Sequence, residues 1–195
     1  MKKLLAGAGA VALAAMPMVG AFADVTDTVV LTIKGACSVG SSTSSTGGGT
    51  TMTEANATNN QLYEFAANGT AGGVIKVSCN DASGWHVKAV GASTGSSNTS
   101  MTPTGSGTAI ATGTATSGAT SNWAFKVAGS SPVTVVSGYA NYAAVPATAA
   151  KVASGDASIS EGTINTGYQV WVSATQQADT YTGKVTYTVA TGTGS

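Results

Sequence analysis

Charge is what this sequence has least of: 8% of its 195 residues are charged, arginine is absent, and all eight basic residues are lysines. Nucleic-acid binding needs a basic stripe that displaces phosphate counterions, and none is present, so no nucleic-acid partner is expected. Histidine occurs once, at His86, and cysteine twice, at Cys37 and Cys79. One imidazole and two cysteines destined for a disulfide do not make a zinc site, and no acidic loop has calcium spacing. Neither a metal nor another cofactor is expected. Aromatics are few, at 6%, and helical spacing of apolar residues is nearly absent beyond the first two dozen positions.

Those first positions are different. "MKKLLAGAGAVALAAMPMVGAFA" has Lys2 and Lys3, an apolar run, and small residues at the −1 and −3 places of Ala21-Phe22-Ala23. This is the pattern of a secretory signal peptide, helical over its apolar stretch and cleaved after Ala23. Pro17 and Gly20 interrupt the run, which falls short of the roughly 20 residues that span a bilayer; an uncleaved anchor is the rival reading. The expected product is residues 24–195, secreted or on a bacterial cell surface, with no membrane span. Its six lysines face eight acids.

Low charge and 26 glycines resemble the composition of disordered chains, but disorder goes with high net charge and few β-branched residues. Here Val and Thr are plentiful, and both favour pleated strands. Apolar residues alternate with polar ones. Val29, Leu31 and Ile33 share a face, as do Ile75, Val77 and Cys79; Trp85, Val87 and Ala89; and Trp123, Phe125 and Val127. "YQVWVSA" groups Tyr168, Val170, Val172 and Ala174, and the closing "YTGKVTYTVA" groups Tyr181, Gly183, Val185, Tyr187 and Val189. Short strands without intervening helices predict an all-β fold, specifically a single antiparallel β-sandwich with immunoglobulin-like Greek-key connections. Two stretches, 38–60 and 91–122, are too polar and glycine-rich to carry a core and are expected as long surface loops or poorly paired edge hairpins.

In an exported chain two cysteines most simply form one disulfide. Bridging Cys37 and Cys79 closes a loop that restricts the unfolded chain by about 4 kcal/mol. The second cysteine opens "CNDASGWH", which gathers Cys79, Asp81, Ser83 and His86, most of the kit of a nucleophilic hydrolase. The same residues make a strand connection, since short polar side chains and a glycine suit a turn. Period two then places His86 on the face opposite Trp85, toward solvent. "GASTG" (91–95) fits a nucleophile elbow, but no histidine follows it and no helix former comes next. A carboxylate pair for glycoside hydrolysis stays open among Glu54, Glu64, Asp156, Glu161 and Asp179. On balance no enzymatic activity and no catalytic residue are expected.

Trp171 falls on the opposite strand face to Val170 and Val172, beside Gln169. An outward indole flanked by an amide can stack on a sugar ring or a partner side chain; more often such a tryptophan is covered by its own long loop or by the second sheet.

"LTIKGACSVG", the second cysteine after "GGVIKVSCND", the following "WHVKAVG" and the closing "ADTYTGKVTYTV" resemble the secreted spore-coat-U and fimbrial-pilin type of bacterial β-sandwich, and small surface proteins of candidate-phylum bacteria such as Saccharibacteria. The resemblance implies an immunoglobulin-like sandwich with a disulfide between its first strands. It also implies assembly into pili or coats by lending a strand, for which Val29, Leu31 and Ile33 form the candidate exchanged strand. It carries no catalytic residues. The expected function is a non-enzymatic structural subunit of a pilus, coat or matrix, whose partners are copies of itself or other surface proteins. The alternative is an adhesin or carbohydrate-binding module for a glycan or host surface, with Trp171 and Gln169 as contacts; a secreted hydrolase comes third.

Overall fold

A computed structural model of the chain describes residues 35–41, 56–65, 73–92 and 98–194. The signal sequence, the expected cleavage point, and Val29, Leu31 and Ile33 lie outside the described residues. Among those described there is no α-helix, and no helix long and apolar enough to cross a membrane.

The fold is all-β. The strands in chain order are β1 (Cys37–Ser41), β2 (Gln61–Phe65), β3 (Gly73–Cys79), β4 (Trp85–Gly91), β5 (Thr102–Pro103), β6 (Ala111–Thr112), β7 (Asn122–Gly129), β8 (Thr134–Val135), β9 (Ala150–Gly155), β10 (Ile159–Val172), β11 (Tyr181–Thr182) and β12 (Val185–Thr191). One sheet runs β1-β3-β10-β7-β6, with β2 also paired to β10; a second runs β12-β4-β9-β8; β5 and β11 form a small pair. All pairings are antiparallel except the short parallel one of β6 with β7.

The alternation in the sequence becomes the core. Ile75, Val77 and Cys79 from β3, Trp123, Phe125 and Val127 from β7, and Ile164 and Val170 from β10 join Trp85, Val87 and Ala89 from β4 and Val152 from β9 in one buried apolar cluster drawn from both main sheets. Leaving water is what favours this arrangement, at about 25 cal/mol for each Å² of apolar surface. The 14-residue β10 organises the first sheet: its first half pairs with β3, its second half with β2, and β7 runs along its other edge.

The expected last strand is split. Gly183 and Lys184 separate β11, which pairs with β5, from β12, which pairs with β4. Burial nonetheless keeps period two from Tyr181 to Val189. Ala92 N–H donates to the Lys184 carbonyl at 3.0 Å, and Gly192 N–H to that of Gly84 at 2.7 Å. In an antiparallel ladder bonded pairs alternate, so Val185, Tyr187 and Val189 turn their backbone groups away from β4. Among the described residues no strand pairs with that edge of β12.

Of the two stretches expected as loops or poorly paired edge hairpins, 38–60 begins within β1, and 91–122 holds the short β5 and β6 and the Met101–Ile110 bridge and contributes to the core as well. Ile110 is 2% exposed and Ala115 5%, and the Trp123 indole donates to the Thr99 carbonyl at 2.8 Å. A loop folded back on large aromatic side chains buries its few apolar residues even where its composition is polar.

Candidate surface site on the outer face of β2, β7 and β10

The disulfide forms between Cys37 and Cys79, which stand opposite each other in the β1–β3 register. The flanking backbone is tied as well: Asn80 N–H donates to the Ala36 carbonyl at 3.1 Å, and Ala36 N–H to Asn80 Oδ1 at 2.6 Å. A shallow depression beside it is lined by Ser38, Ser78, Ser158, Ser160 and Ile159. Hydroxyls at the surface with no charged or nucleophilic group among them carry no chemistry of their own.

The hydrolase kit comes apart once folded. Asp81 Oδ1 accepts the Ser83 backbone N–H at 2.8 Å and the Ser83 hydroxyl at 2.6 Å, which holds the Asp81 carboxyl below its usual range. Gly84 closes the turn with φ of 93°, a conformation that favours glycine. His86 belongs to neither group, and the expectation that it faces solvent is corrected: it is 8% exposed. Its Nδ1 lies 2.7 Å from the Gly192 carbonyl, which only accepts, so that nitrogen carries the proton in the neutral ring. Gly194 seats its backbone on the imidazole, where a Cβ would fall 2.7 Å from Cγ. Lys151 Nζ fixes the same tail through the Gly194 and Thr193 carbonyls at 2.6 and 3.3 Å. Period two chose the strand face of His86 as expected, but the chain's own C-terminal residues lie over that face.

Glu161 and Asp179 are occupied too, while Asp156 is exposed. Lys76 pairs with Glu161 at 2.6 Å, and Asp179 accepts backbone N–H groups of Gly105, Gly107 and Thr180. Glu54 lies outside the described residues. Among the described residues no three His, Cys, Asp or Glu side chains converge as a metal site would require.

Trp171 takes the covered reading and not the open one. It does sit on the face opposite Val170, but it is 7% exposed, and its Nε1–H donates to the Gly118 carbonyl at 3.0 Å. The loop before β7 is pinned over it by Ser121, whose Oγ meets Ser173 Oγ at 3.1 Å and accepts the Ser173 N–H at 2.9 Å. Gln169, two residues earlier on the same face, remains half-buried and lies between Glu64 of β2 and Ala124 of β7 in the register.

Around Gln169 the sheet assembles a cluster that no short sequence motif announces. Glu64 Oε1 accepts the Tyr142 hydroxyl at 2.6 Å and faces Lys126 Nζ at 3.6 Å. The ammonium also stands 4.3 Å from the Tyr142 ring centroid, close enough for a cation–π contact. The Tyr142 hydrogen bond foremost, against the opposing effect of burial and with lesser help from Gln169 and Lys126, lowers the Glu64 pKa. Burial foremost, and Glu64 second, push the Tyr142 phenol well above its ordinary value. Leu62, on the same face of β2, is 43% exposed, and Glu64 keeps 46% of its side chain in solvent. Tyr142 is placed by backbone pairing of its neighbour: Ala143 exchanges hydrogen bonds with Phe125 at 2.8 and 2.9 Å.

Comparison with protein-family models, with curated proteins and with solved structures finds no match to this chain.

Proposed function

We propose that the chain is an exported, non-enzymatic surface protein, the structural subunit of a pilus, coat or matrix, built as a β-sandwich of Greek-key type closed by Cys37–Cys79. The observation that carries this reading is the outer edge of β12, where the backbone groups of Val185, Tyr187 and Val189 turn away from β4. An edge of this kind accepts a further strand through its main chain. Val29, Leu31 and Ile33 repeat with the matching period, and the chain enters the described fold at Gly35. Gly35 abuts Asp81, in the turn whose Gly84 bonds Gly192 just beyond β12. In this reading the segment before Gly35 supplies a strand to the β12 edge of a neighbouring copy, and exchange between neighbours makes a polymer. A surface with so little charge offers weak electrostatic opposition to such association.

The test is electron microscopy and sedimentation of the chain starting at Asp24. Ordered filaments or sheets are expected, and Leu31→Asp, which puts a charge into the exchanged strand, removes them. A wild-type protein that stays monomeric at high concentration without filaments overturns the assembly reading.

A further inference from the structure

We propose that the outer face formed by β2, β7 and β10 binds a neutral glycan through Glu64, Tyr142, Gln169 and Leu62. The inference concerns a different surface from the β12 edge and does not depend on assembly.

Four segments far apart in sequence bring these groups together: β2 supplies Leu62 and Glu64, β10 Gln169, β7 Lys126, and the segment after the Ser137–Tyr139 turn supplies Tyr142. Stability alone gives little reason for the arrangement, because ion pairs this exposed contribute between zero and about 1 kcal/mol. What the contacts do is fix orientation. Tyr142 holds one Glu64 oxygen, Lys126 lies against both, and Gln169 stands directly opposite Glu64 in the β10–β2 register. Rotamers held in advance lower the entropic cost of binding a partner.

The chemistry selects the ligand class. Glu64 and Lys126 compensate each other, so the patch has no net charge with which to recruit an anion or a cation. A half-exposed carboxylate accepts hydroxyl protons, an amide both donates and accepts, and a phenol does likewise. Leu62 sets an open apolar surface next to them. Hydroxyls alternating with C–H surface are what a sugar ring presents, and a few placed polar groups with an apolar neighbour are how small-molecule sites fix orientation. Trp171, under its loop, backs the site, since it pairs directly with Leu62 in the register.

The experiment is affinity electrophoresis of the protein through gels containing hydroxyethylcellulose, galactomannan, amylopectin or, as an acidic contrast, polygalacturonate. Retardation by at least one neutral polysaccharide is expected. Gln169→Ala and Tyr142→Phe each weaken it about tenfold, the loss of one hydrogen bond to a charged or well-placed group, while melting temperatures stay near wild type. Thr188→Ala, on β12 of the other sheet, is expected to bind as wild type. The proposal is overturned if no neutral polysaccharide retards the protein, if only polygalacturonate does, or if Gln169→Ala and Tyr142→Phe run as wild type. It is also overturned if Thr188→Ala weakens binding as much as they do.

Discussion

Trp171 is a side chain on the outer face of a sheet that behaves as core, because a loop closes over it and offers the Gly118 carbonyl to its indole. Trp171→Ala is therefore expected to destabilise the fold by about 3–5 kcal/mol, the range for emptying a buried tryptophan site, as measured by urea unfolding. A variant that unfolds with wild-type midpoint would show that the indole is not packed. Asp179 acts at the same scale through protons. Backbone N–H groups hold its carboxyl below the ordinary value, Gly107 first and Thr180 and Gly105 after it. A lowered folded pKa contributes stability that is complete above the unfolded value, about 3.9, and is lost as pH falls through the folded one. Asp179→Asn should thus differ most from wild type near neutral pH, and the difference in unfolding midpoint should shrink progressively below about pH 4. The sequence revealed the inward residues well: Val77, Val87 and Phe125 are fully buried where alternation put them. It misplaced His86, and left Trp171 between an open and a covered reading, for one reason. Alternation states which side of a strand a residue occupies, and says nothing about what the rest of the chain lays over that side.

At the scale of elements, legibility followed the density of apolar residues. β3, β4 and β7 have three or more alternating apolar residues and were readable. The first half of β10 reads "ISEGTINTG", where Gly162, Ile164 and Thr166 face inward and only one of the three is apolar; β2 rests on the short run "QLYEF". Neither stands out against the Gly/Thr background, and with them went the cluster around Glu64, which exists only once β2 is placed beside β10. The disulfide was readable from the cysteine count and the expectation of export alone. Replacing Cys37 and Cys79 together by Ala is expected to lower stability by about 4 kcal/mol on the loop-entropy account, given a sequence separation of 42. Denaturant titration of the double variant against oxidised wild type measures it.

For the molecule as a whole, two surfaces divide the work proposed here. The β12 edge serves contact between copies, and the outer face of β2, β7 and β10 serves contact with sugars, so variants at one should leave the other intact. Leu31→Asp is expected to abolish filaments and keep glycan retardation, whereas Gln169→Ala should keep filaments and weaken retardation about tenfold. A single variant that removes both readouts without unfolding would merge the two surfaces into one. The sequence pointed to export and to an all-β body because those depend on composition and period. Which faces meet a partner depends on where loops come to rest, and that is set by long-range packing.

The link between β1 and β3 also changes what a protease can accomplish. Everything between residues 37 and 79 is enclosed by one covalent ring, so a single scission in that stretch opens the ring without releasing either part. Protein bearing an inserted cleavage site between Ser41 and Gln61 should, after digestion, migrate as one species on a non-reducing gel and as two once thiol is added. A cut there leaves the chain in one piece for as long as the Cys37–Cys79 bridge stays oxidised.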